Sequence, residues 1–133
     1  MTKNNLKSRL LNGESVYGPF CKLQDPSVVE IAALANFDFV ILDMEHGPLS
    51  VESVQNISRA AKAQNLEVVV RVTENNPANI LRVLDVGVHS IQVPQVSTKE
   101  DAQEVVKSCY FHTQGERGMC RYEIGRASYR ERV

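Results

Sequence analysis

Asp43, Glu45 and His46 follow directly on the apolar run Phe39-Val40-Ile41-Leu42, and Gly47-Pro48 breaks the extended backbone just beyond them. In a parallel α/β protein this is how a buried strand delivers ionisable groups to the face where chemistry occurs. An aspartate beside a histidine can fix its tautomer and raise its basicity, preparing it to move a proton near neutral pH. Arg71, after Val68-Val69-Val70, would set a permanent positive charge at the rim of an apolar core. Such a charge suits a carboxylate or a developing enolate oxygen. Other strand ends would add Lys22, Gln24, Glu74 and Gln95 to this acid–base and anion-binding set.

The same residues have ordinary structural uses. Asp43, Glu45 and His46 could cap the next helix and solvate a turn. Arg71 could be half of an ion pair with Glu74 or Asp43. Asp85, shortly before Gly87, reads as surface punctuation, and the three cysteines Cys21, Cys109 and Cys120 read as packing residues. His89 and His112 receive no role, and the Arg-rich tail (Arg121, Arg126, Arg130, Arg132) reads as a solvated helix face.

Positioning these groups requires a strand–helix repeat, and the pattern supplies four units. Expected strands are Val16 to Cys21, weakened by Gly18 and Pro19; Asp38 to Asp43; Glu67 to Val72; and His89 to Pro94. The third is a β-branched run without alternation, which implies burial on both faces. Asp25-Pro26, Ser50 and Asn76-Pro77 are helix starts, and Gly87 is a helix stop. Ser97-Thr98-Lys99-Glu100 reads as a capping box, with Ser97 and Glu100 as the reciprocal partners, before an apolar stripe of Ala102, Val105, Val106 and Cys109. Strand–helix alternation implies parallel strands with right-handed crossovers, either in an open doubly wound sheet or in part of a (β/α)8 barrel. No G-x-G-x-x-G follows the first strand and no P-loop occurs. A complete barrel needs about 250 residues, so four units would be half of one.

The totals narrow the class. The chain of 133 residues is 43% hydrophobic and 23% charged, which suits one globular domain. A net charge of -1 gives no field favouring nucleic acid or anionic membrane. An odd number of cysteines without a C-x-x-C pair argues against a disulfide framework or structural zinc, and fits a reducing cytoplasm. No signal peptide and no membrane-length apolar run is read.

Taken in order, Asp43-Met44-Glu45-His46-Gly47-Pro48, Val69-Val70-Arg71-Val72 and Val83-Leu84-Asp85-Val86-Gly87 resemble the HpcH/HpaI family of metal-dependent aldolases. Gln92-Val93-Pro94, the Gly115-Glu116-Arg117-Gly118 loop and Arg126-Ala127 add to the resemblance, which covers nearly the whole chain. It implies a (β/α)8 barrel that cleaves 2-keto-3-deoxy sugar acids or 4-hydroxy-2-oxo acids to pyruvate and an aldehyde. It also implies a divalent cation (of the Mg, Mn or Co type) that chelates pyruvate oxygens and stabilises the enolate, and a homo-oligomer, a hexamer in the family. On this resemblance His46, hydrogen-bonded to Asp43, moves the proton of the aldol hydroxyl. Arg71 holds the keto oxygen and offsets enolate charge. Asp85 reaches an active site across a subunit interface, Glu45 supports the contacting residues from behind, and Arg117 carries no chemical step.

The family's metal ligands are a Glu and an Asp in segments resembling Q-x-E and G-P-x-D-L. Neither segment occurs on a strand in these 133 residues: Gln114-Gly115-Glu116 has the Q-x-E spacing but belongs to the loop named above, and Glu123 sits in the wrong context to substitute. The expectation is one incomplete barrel domain over residues 1–133, an N-terminal fragment not competent on its own. The rival reading is a small non-catalytic α/β domain that binds a ligand or partner, or a half-barrel that pairs with a second copy. A lyase acting on acyl-CoA thioesters is the other enzyme class in view.

Overall fold

The computed structural model describes residues 6–119. Helix α1 (Leu6–Leu11) precedes four strand–helix units: β1 (Phe20–Cys21) and α2 (Ser27–Leu34), β2 (Phe39–Asp43) and α3 (Val51–Ala63), β3 (Glu67–Arg71) and α4 (Pro77–Asp85), and β4 (Ser90–Gln92) and α5 (Lys99–Cys109). The expectations placed on Cys120, Glu123, Arg126-Ala127 and the Arg-rich tail lie outside the described residues. Among those residues, no helix is long and apolar enough to cross a membrane.

The four strands are parallel and lie in the order β1-β2-β3-β4. That order decides between the two architectures. Right-handed crossovers that always step in the same direction leave every connecting helix on one face, whereas a doubly wound sheet reverses direction partway. The fold is therefore α/β, with four successive units arranged as half of a (β/α)8 barrel.

The helices bury one face of the sheet. Val40 and Leu42 of β2 and Val70 of β3 pack with Val29 and Ala32 of α2, Val54, Ile57 and Ala61 of α3, and Ile80 and Val83 of α4. β3 corrects its expectation: Val70 and Val72 are fully buried, but Val69, on the opposite face, is only half-buried. Helices cover one face of this strand among the described residues, so the β-branched run does not translate into burial on both.

The local signals explain most helix starts. Ser50 Oγ accepts the Ser53 amide, and Asn76 Oδ1 accepts the amides of Ala78 and Asn79 ahead of Pro77. Asp25 Oδ1 accepts both the amide and the hydroxyl of Ser27, which holds its carboxyl below the usual range. The final capping box is shifted by one residue. Thr98 Oγ1 accepts the Asp101 amide and Asp101 Oδ2 accepts the Thr98 amide, so Ser97 and Glu100 are not the reciprocal pair. The shorter aspartate reaches back across the first turn, and it also accepts the Ser97 amide.

β1 is shorter than expected. Regular pairing covers only Phe20–Cys21, although Tyr17 and Pro19 carbonyls still accept the amides of Asp38 and Ile41. Pro19 has no N–H to donate, and Gly18 passes so close to β2 that a Cβ there would lie 2.4 Å from the Phe39 carbonyl oxygen. α1 was not foreseen, since six residues give too little periodicity to read. Its Arg9 pairs with Glu14 at 2.9 Å and with Asp38, tying the segment to the start of β2.

Candidate active site

The sheet register lines up the chemistry. Asp43 at the end of β2 lies level with Arg71 at the end of β3, and Arg71 lies level with Gln92 of β4. Asp43 is fully buried, so its charge requires compensation. Arg71 supplies it in a bidentate pair: Nε donates to Oδ1 at 3.0 Å and Nη2 to Oδ2 at 2.7 Å. The backbone amides of Glu45 and His46 both donate to Oδ1 at 3.1 Å. Four hydrogen bonds are the usual capacity of a carboxylate. The Arg71 hydrogen bonds, with help from these amides, hold the Asp43 carboxyl far below its ordinary range despite burial, so it stays ionised.

Asp43 therefore has two roles, anchoring Arg71 and shaping the turn that carries Glu45 and His46. It does not pair with the imidazole. The expected Asp43–His46 side-chain hydrogen bond is absent among the described contacts, because both carboxylate oxygens are taken by the guanidinium and by backbone. The carboxylate facing the imidazole belongs to Glu45, whose Oε2 lies 3.6 Å from His46 Nε2 and 3.2 Å from Arg71 Nη1. Glu45 thus bridges the arginine and the histidine, a more direct place than the expectation gave it. The His46 side chain is 61% exposed, open to a substrate or to water.

Arg71 is fixed on its edge by Asp43 and on its face by the Phe20 ring, 4.9 Å from the guanidinium carbon. Asp43 accepts two of its five N–H groups, so three remain to meet Glu45 and an incoming oxyanion. Phe20 was missed in the sequence, where it reads as one more apolar strand residue. Only the register reveals it.

The other strand-end residues divide. Lys22 Nζ comes within 3.7 Å of Asp43 Oδ2 and joins the cluster. Gln24 Nε2 donates to the Pro48 carbonyl, and Glu74 Oε1 accepts from Asn79 Nδ2, so neither enters it. Gln95 is exposed, with a φ of 57°. Asp85 lies at the opposite end of α4, roughly 13 Å along the helix from the face holding the cluster. There its Oδ1 accepts from Arg117 Nη2 at 2.7 Å, and Arg117 also stacks on Phe111 at 4.6 Å.

No group of three or more His, Cys, Asp and Glu side chains among the described residues could hold a metal ion. The nearest candidates, Asp43 and Glu45, are committed to Arg71, and the Asp43 carboxylate already accepts four hydrogen bonds. The described residues do not fit a divalent cation.

With this geometry in place, the comparisons with known proteins are specific. Residues 17–130 match the family described as HpcH/HpaI aldolase/citrate lyase. The chain is 35% identical over 125 residues to a hydroxypyruvate/pyruvate aldolase of Roseobacter denitrificans, covering 94% of this chain and 48% of that one. It is 36% identical over 116 residues to a 5-keto-4-deoxy-D-glucarate aldolase of Klebsiella pneumoniae, covering 87% and 45%. Among solved structures, an HpcH/HpaI aldolase from Desulfitobacterium hafniense superposes with a TM-score of 0.81 at 30% identity, over 90% of this chain and 47% of that one. The citrate synthase SbnG gives 0.84 at 36%, over 97% and 51%. The chain spans about half the length of the relatives it matches.

Proposed function

The chain belongs to the HpcH/HpaI aldolase/citrate lyase family, and on that premise we propose that it supplies one half of the active site of a pyruvate-yielding aldolase. The substrate class is a 4-hydroxy-2-oxo acid or 2-keto-3-deoxy sugar acid. Breaking the C3–C4 bond sends its electron pair into the enolate of pyruvate and releases the aldehyde. The C4 hydroxyl proton must leave as the bond breaks, and C3 must regain a proton. The observation that carries the reading is the Glu45–Arg71–Asp43 cluster beside an exposed His46 at the strand ends.

The remaining N–H groups of Arg71 meet the oxo oxygen and stabilise it as it becomes the enolate oxygen. Asp43 and Phe20 hold the guanidinium still, so this stabilisation needs no rearrangement during reaction. His46, with Glu45 beside its Nε2, takes the hydroxyl proton directly or through water. The family resemblance brings a divalent cation of the Mg, Mn or Co type. No described residue fits it, so its ligands are assigned to residues outside this set.

The reading places residues 1–133 in a single barrel domain that is inactive without those ligands, in a cytoplasmic homo-oligomer. Asp85 reaches the neighbouring active site there from its anchor on Arg117. Cleavage assays on the intact protein test the assignment. His46→Ala should lower kcat for aldol cleavage by about a hundredfold, the usual scale of one proton-transfer group. Unchanged kcat in that variant would remove His46 from the mechanism.

A further inference from the structure

Lys22 is the one member of the cluster to which this mechanism gives no task. It follows β1 directly, and continuing the Cys21–Leu42 register by one residue sets it level with Asp43. Its stem lies against Gly47, where a Cβ would come within 3.1 Å of Lys22 Cγ. Glycine at that position lets the side chain cross the turn that carries Glu45 and His46. The ammonium stops 3.7 Å from Asp43 Oδ2, outside hydrogen-bond distance, and the side chain is 52% exposed.

Asp43 accounts for the charge of Lys22 but not for its hydrogen-bond donors. The four hydrogen bonds of Asp43 come from Arg71 and two backbone amides, and Arg71 is shared with Glu45, so Lys22 helps balance the two carboxylates from 3.7 Å without donating to Asp43. Lys22 therefore brings a positive charge with three N–H donors to the open face of the cluster, where a substrate oxyanion would find them unoccupied.

We propose that Lys22 is a substrate-binding residue that holds a carboxylate of the 2-oxo acid, beside the oxo group held by Arg71. This rests on the aldolase reading for the identity of the substrate, but not for the existence of the site. The carboxylate could be C1 of the 2-oxo acid or a second carboxylate at the far end of a diacid, and two probes separate these sources.

Ligand-observed NMR titrations of the intact protein with pyruvate and with 2-oxoglutarate, on the parent, Lys22→Met and Lys22→Arg, test it. Lys22→Met should raise Kd by about tenfold, the worth of one charge-assisted contact, and Lys22→Arg should restore most of it. A rise for both acids assigns C1, and a rise for 2-oxoglutarate alone assigns the distal carboxylate. Parent-like Kd values for both acids in Lys22→Met overturn the proposal, as does failure of the parent to bind either. Lys22-dependent binding by a protein that does not enolise pyruvate would keep this site and overturn the aldolase reading instead.

Discussion

Replacing Asp43 with asparagine removes one charge while nearly preserving shape, so it isolates the ion pair at the centre of the cluster. The asparagine Oδ1 can still accept the amides of Glu45 and His46. Its NH2 group, however, would face the N–H groups of Arg71 where a carboxylate oxygen now accepts at 2.7 Å. Removing one partner of a buried pair commonly costs about 3–5 kcal/mol. The lower end applies here, because Glu45 stays 3.2 Å from Arg71 Nη1 and the Arg71 side chain keeps 18% of its exposure. A loss of about 3 kcal/mol at an m-value of about 2 kcal/mol/M would move the urea midpoint of the intact protein down by roughly 1.5 M. The sign with pH is fixed as well. The folded-state pKa of Asp43 is depressed by Arg71, so its contribution is complete above the unfolded-state value of about 4 and is lost as pH falls through the lower folded value. The gap between parent and Asp43→Asn should therefore be constant near neutrality and narrow in acid. Combining Asp43→Asn with Arg71→Met should cost clearly less than the sum of the single losses. A midpoint shift below about 0.3 M, or a gap that widens in acid, would refute the reasoning.

Two further perturbations probe the scaffold. Gly115→Ala would put a Cβ 2.2 Å from the Tyr110 carbonyl oxygen and 2.5 Å from that of Lys107, so the loop could not close. The amides of Glu116 and Arg117, which donate to those same two carbonyls, should lose hydrogen-exchange protection, whereas those of α3 should keep theirs. Asn76→Ala removes the acceptor for the first amides of α4 and should cost about 1 kcal/mol in urea denaturation, whereas Asn76→Asp should largely retain stability.

Legibility in the sequence followed the range of the interaction. The β2 run ending at Asp43, the Ser50 and Asn76 caps and the Gly87 stop all depend on neighbours within a few residues, and each is found where its chemistry requires. The capping box slipped by one because Thr98 and Asp101 satisfy the same geometry as Ser97 and Glu100. The sheet order, which settled the architecture, cannot be read from strand propensity because it depends on which strands meet in space. The site divides in the same way. Its members could be named from strand ends, but the choice among their possible pairings could not. Asp43 reads both as a partner for His46 and, with Glu74, as one of two possible ion-pair partners for Arg71; it serves Arg71 across the β2–β3 register, 28 residues away, leaving Glu45 beside the imidazole. Phe20 stacks on Arg71 and Arg117 reaches Asp85 through contacts that no local pattern encodes.

Exchange of the methyl protons of pyruvate for deuterium tests the central claim most directly, since it reads enolate formation without needing the correct aldehyde. In D2O with a divalent cation, the intact protein should exchange these protons, and a chelator should abolish the exchange. Arg71→Ala should slow it by at least about a hundredfold, the scale of losing a donor to a developing oxyanion. Normal exchange in Arg71→Ala, or none in the parent with cation supplied, would contradict the account.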